Sequence, residues 1–96
     1  MIEEFRASRS AQRHMAAKHG VDVEEALEAA GSTPRHYRTY RAEAGERRYL
    51  VPGKTEDGRR LWVVFADEGG GRGRIITART AQGSNDHARH RRLRGD

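Results

Sequence analysis

From residue 10 onward, apolar positions recur first at helical spacing and then at strand spacing. In SAQRHMAAKHG, residues 10–20, Ala11, Met15 and the Lys18–His19 step fall on one helical face, and Gly20 readily takes the left-handed backbone that closes a helix. In VDVEEALEAAG, residues 21–31, the stripe is Val23, Ala26, Leu27 and Ala30. Asp22 is placed as its N-cap, and Glu25, three residues on, completes a capping box. Residues 32–45, with Pro34, Tyr37 and Tyr40, show no clear period and read as either a short edge strand or a loop.

At RRYLVPG the texture changes to β, with Tyr49 and Val51 on one face and Arg48 and Leu50 on the other. An Asp57-Gly58 turn leads into RLWVVFAD, apolar at consecutive positions as a strand buried on both faces should be, so it is expected to lie centrally. EGGGRG supplies the next turn, and RIITART returns with Ile76 and Ala78 facing one way and Ile75, Thr77 and Arg79 the other. GSNDHARHRRLRGD starts a helix at Ser84 or Asn85, yet its apolar face is only Ala88 and Leu93. The basic tail 82–96 is therefore expected to fray unless something binds it. The pattern predicts one α+β domain over residues 1–96: two N-terminal helices on a twisted antiparallel sheet of three to four strands, with a short C-terminal helix.

Composition narrows the classes. At 96 residues and 34% hydrophobic the core must be modest, with no room for a second one. No apolar run approaches the roughly 20 residues that span a bilayer, and the N-terminus lacks a signal-peptide pattern, so a soluble, uncleaved chain is expected. The absence of cysteine removes disulfides and thiolate metal sites and is compatible with a reducing cytoplasm. Charge is uneven: residues 1–31 hold four Lys/Arg against six Asp/Glu, residues 32–81 eleven against six, and residues 82–96 four against two. The net +5 thus sits in the β-rich half and the tail, the footprint of either a nucleic-acid binder or a solubilising arginine surface.

The candidate chemistry is cationic. The glycines of residues 69–73 lack the Lys-Ser/Thr of a phosphate-binding loop and open no helix, so they read as a hairpin turn. The histidines fall at no zinc spacing, and metal-independent chemistry is the default, with no cofactor implied. Lys18 and His19 pair a phosphate ligand with a proton carrier; equally, they could only oppose the helix dipole. Arg79 closes an otherwise aliphatic strand, either as a structural guanidinium or as one aimed into a cleft.

AAKHGVDVEEALEAA followed by GERRYLVPGKTEDGRRLWVVFADEGGGRGRIITART resembles the BrnT family of small bacterial toxins. The resemblance rests on Lys18-His19-Gly20-Val21, Glu25, Arg48-Tyr49, the Gly53 and Gly58-Arg59 positions, and Arg74-Ile75-Ile76 with Ala78-Arg79, and it covers most of the chain. It implies a RelE-like fold, a ribonuclease activity and a cognate antitoxin with a ribbon-helix-helix DNA-binding part, the chain meeting DNA only through that complex. Two departures bear on catalytic competence: MIEEFRASRS stands where the family has a strand ending Trp-Asp-Pro, with Phe5 the candidate replacement, and the last helix lacks the family's Glu-Arg pair and Tyr.

Residues and resemblance meet on one expectation. Metal-free RNA cleavage needs the 2′-hydroxyl deprotonated, the phosphorane charge offset and the leaving oxygen protonated. Lys18, Arg48 and Arg79 are the candidate cations on the scissile phosphate, and His19 is the proton shuttle. Arg59, Arg60, Arg72 and Arg74 would hold the RNA backbone, while Tyr49 and Trp62 either stack on a base or belong to the core. The alternative is an inactive homologue that binds RNA or antitoxin in promoter autoregulation.

Overall fold

The computed structural model describes residues 2–39 and 45–96. The chain runs β1 (Glu4–Arg6), α1 (Arg9–His19), α2 (Val23–Ala30), β2 (Tyr37–Arg38), β3 (Arg47–Lys54), β4 (Arg60–Gly69), β5 (Arg72–Thr80) and α3 (Gly83–Arg94). The strands form one sheet in the order β1-β5-β4-β3-β2, in which β1 runs parallel to β5 and the other pairs are antiparallel. The sheet thus has five strands rather than three or four, because both edges carry a short strand that no alternation could reveal. The undecided segment supplies β2; Tyr40 lies outside the described residues.

Both N-terminal helices begin and end on local chemistry. Ser8 caps α1 by accepting from the Ala11 N–H, and Gly20 closes it at φ 62°. Asp22 and Glu25 form the expected reciprocal capping box on α2. The buried stripe of α2 is Ala26, Ala29 and Ala30 rather than one including Val23. These small side chains let the helix approach β3 so closely that a Cβ on Gly53 would collide with the Ala29 carbonyl.

β4 is central, as its unbroken apolar run requires, with Val63 and Phe65 facing α1 and α2 in the core with Met15, Val21 and Val51. Tyr49 stacks on Phe65 at 5.3 Å, which sets Tyr49 and Val51 on the same face as expected. The β4–β5 turn is the glycine loop, with Gly70 at φ 64° and Gly71 at φ 79°, values that suit a tight hairpin and exclude most side chains. Beyond it the expected alternation of β5 fails. Val64 opposes Thr77 while Phe65 opposes Ile75, so Ile76 is an extra residue in a β-bulge. Parity flips there, and Ile75 joins Ala78 in the core in place of Ile76.

The C-terminal helix packs over β3 and β4 on the face opposite α1 and α2, instead of fraying. Its inward side is polar and fully partnered. His90 is 0% exposed; its Nδ1 faces the Arg60 guanidinium at 3.2 Å and its Nε2 the Leu61 carbonyl at 3.0 Å. A guanidinium can only donate, so Nδ1 accepts and the ring is the neutral Nε2–H tautomer. Arg94 donates to Ser32 Oγ at 2.9 Å and to the Pro52 carbonyl at 3.1 Å, and Tyr37 donates its hydroxyl to the Leu93 carbonyl. Asp86 accepts from Trp62 Nε1 at 3.0 Å and from the Gln82 N–H at 2.9 Å. Trp62, 2% exposed, is therefore core.

Replacing His90 with Ala removes a buried ring and the donor to the Leu61 carbonyl, so a loss of about 3 kcal/mol in urea denaturation is expected. Burial holds His90 below its ordinary 6.5; the Leu61 hydrogen bond opposes this, and the charge of Arg60 adds to it. The unfolded chain therefore binds a proton that the folded chain refuses, and stability present above 6.5 falls as pH drops through the window beneath it. In H90A this acid slope should be shallower, and an unchanged slope would clear His90.

Candidate functional site

The last turn of α1 carries Lys18 and His19 at the helix C-terminus, where Gly20 turns the chain toward α2. α1 packs on β5, and β1 pairs only with Arg72–Arg74, so the end of β5 that carries Arg79 is an open sheet edge beside this turn. Arg79 is exposed; its guanidinium donates to Asp86 Oδ2 at 3.2 Å, which holds it at the edge while leaving other N–H groups for an anion. Lys18 is exposed and makes no ion pair among the described residues.

His19 is half-buried, and its imidazole is pushed below the ordinary range first by burial, then by His14, Lys18 and Arg79. Burial and these charges favour the neutral imidazole, the form that can accept a proton. His14, which periodicity and metal spacing passed over, meets His19 edge to face with ring centres 5.4 Å apart. The only sequence signal for it was its position one helical turn before Lys18. Asp86 was passed over as well. Burial raises its pKa, and hydrogen bonds from Gln82, Trp62 and Arg79 more than reverse this, leaving it an ionised partner for Arg79.

Arg48 is not brought to this cluster. It opposes Ala66, whereas Arg79 opposes Trp62, which separates them by about 13 Å along the strands and two strand spacings across. There Arg48 donates to Glu46 at 2.9 Å, and Arg74 is shared between Glu46 and Glu68. Arg60 is paired with Asp96 at 2.9 Å. Arg59 grips Glu25 at 2.7 Å and also donates to the Gly20 carbonyl and Thr80 Oγ1, so it fastens the end of α1 to the end of β5. Of the arginines expected on an RNA backbone, Arg72 alone is exposed and without an ion pair among the described residues. Opposed charges thus turned most of the predicted anion ligands into structural ties.

A cavity of about 340 Å³ opens elsewhere, between Ile2, Phe5, Ala30 and His36, at the other end of β5. Phe5, the candidate replacement for the family's Trp, lines it, but none of the cations predicted from sequence does, nor does His19. The cation cluster is an exposed ridge and edge, a shape suited to an extended polyanion rather than an enclosed small molecule. Among the described residues no group of His, Asp and Glu could hold a metal ion, and no helix is long and apolar enough to cross a membrane.

A comparison with curated proteins finds no match. Among solved structures, the crystal structure of the Brucella abortus ribonuclease toxin BrnT is similar at 19% identity and a TM-score of 0.50, over 82% of this chain and 96% of that one, a likeness of fold. The family model described as "Ribonuclease toxin, BrnT, of type II toxin-antitoxin system" matches residues 8–85, from the cap of α1 to the first turn of α3. That span holds Lys18, His19 and Arg79, and the chain belongs to the BrnT family of ribonuclease toxins of type II toxin-antitoxin systems.

Proposed function

We propose that this chain is a metal-independent endoribonuclease that cleaves RNA across the end of α1 and the edge of β5. Lys18 and Arg79 bind the scissile phosphate and offset the charge that builds on it, and His19 takes the 2′-hydroxyl proton. The observation that carries this reading is the placement of Lys18 and His19 in the last turn of α1 beside the open edge of β5 that carries Arg79. Burial, then His14, Lys18 and Arg79, favour the neutral His19 ring there. Arg48 stands outside the reacting centre, its charge balanced by Glu46. An antitoxin, read here as carrying a ribbon-helix-helix DNA-binding part, would neutralise the toxin in the cytoplasm and bring it to DNA. The RelE-like ancestry of the fold belongs to the same reading.

Purified protein should cut single-stranded RNA with chelator present, and Lys18→Ala or Arg79→Ala should each slow cleavage on the order of 10²-fold without lowering Tm. Undiminished cleavage would clear those residues. Retention of RNA without cutting would favour the binding homologue. Among the backbone contacts, Arg72→Ala should reduce the slope of log affinity against log salt by about 0.7. Arg59→Ala should leave that slope unchanged and lower Tm, since its charge is already committed to Glu25.

A further inference from the structure

Cleavage by transesterification needs a proton delivered as well as one removed, and His19 alone does the second. The His14 ring lies edge to face with His19 at 5.4 Å, exposed on the outer side of α1 where a strand of RNA held by Lys18 would lie. His14 and Lys18 are one helical turn apart and share a face. The charged groups acting on His19 besides His14 are Lys18 from α1 and Arg79 from β5, and the Glu25–Arg59 ion pair is tied to the carbonyl of Gly20, the next residue.

Resting on the nuclease reading above, we infer that His14 is the general acid of the reaction and His19 its general base. The 2′-hydroxyl proton passes to His19 as O2′ bonds to phosphorus, and the P–O5′ bond breaks as His14 gives its proton to O5′. The products are a 2′,3′-cyclic phosphate and a 5′-hydroxyl, with no co-reactant, and the pair regains its starting state by moving one proton through water. Burial first, and then positive charge on His14, Lys18 and Arg79, disfavours charge on His19. His19, the more buried ring, is thus the one suited to accept a proton, and His14, exposed beside Lys18, the one open to the departing O5′. Both rings project from one helix capped at each end, which places their backbones before RNA arrives.

The test compares His14→Gln with the unaltered protein on a dinucleotide and on the same dinucleotide with sulfur in place of O5′, whose thiolate leaves without an acid. His14→Gln should be slowed about 10²-fold on the oxygen substrate, lose the alkaline limb of the kcat/KM profile, and recover the unaltered rate on the sulfur substrate. His19→Gln should be slow on both. Equal slowing of His14→Gln on both substrates, or no slowing on either, overturns the acid role while the nuclease reading stands. An unaltered protein that cuts neither substrate overturns the nuclease reading and this inference with it.

Discussion

Asp86 ties the third helix to the sheet and to the candidate site through one carboxylate. Its Oδ1 takes the indole N–H of Trp62, while its Oδ2 takes the Gln82 N–H that opens α3 and the Arg79 guanidinium at the edge of β5. A carboxylate with three donors stays ionised despite partial burial, and so can neutralise part of an arginine that must remain free to meet phosphate. The helix whose sparse apolar face predicted fraying thereby holds the Arg79 guanidinium.

The other side of the site has a matching constraint. Arg59 bridges Glu25, the Gly20 carbonyl and Thr80, so the end of α1, the start of α2 and the end of β5 are held as one unit. Lys18 and His19 sit in the last turn of α1 and Arg79 next to Thr80 at the end of β5, the two elements this knot joins. Positioning and charge, rather than a deep pocket, are what such a surface offers a polyanion, and both are available before RNA binds.

Much of this was legible in the sequence where one rule governs one residue. Gly20, the Asp22–Glu25 box, the glycine hairpin and the central apolar strand each follow from local backbone chemistry or burial, and each forms as read. Most of the misreadings share a cause, which is pairing between distant residues. Ile76 bulges because of its register against Val64 and Phe65, which no count along β5 contains. α3 docks through His90, Arg94 and Asp86, polar residues that a hydrophobic stripe cannot register. Arg48 and Arg74 read as free cations until Glu46, remote from Arg74 in sequence, lies between them. The chemistry was half legible: Lys18, His19 and Arg79 come to one region, and His14 emerges only once ring geometry is known.

The central claim is that RNA reacts at the junction of α1 and the β5 edge. It is tested most directly by following side-chain and amide NMR shifts as the protein is titrated with an uncleavable 2′-O-methyl oligonucleotide. The account predicts the largest shifts at His14, Lys18, His19 and Arg79, fading with added salt. Shifts concentrated instead at Arg48 and Arg74, or around Phe5 and His36, with the histidine pair unmoved, would contradict it.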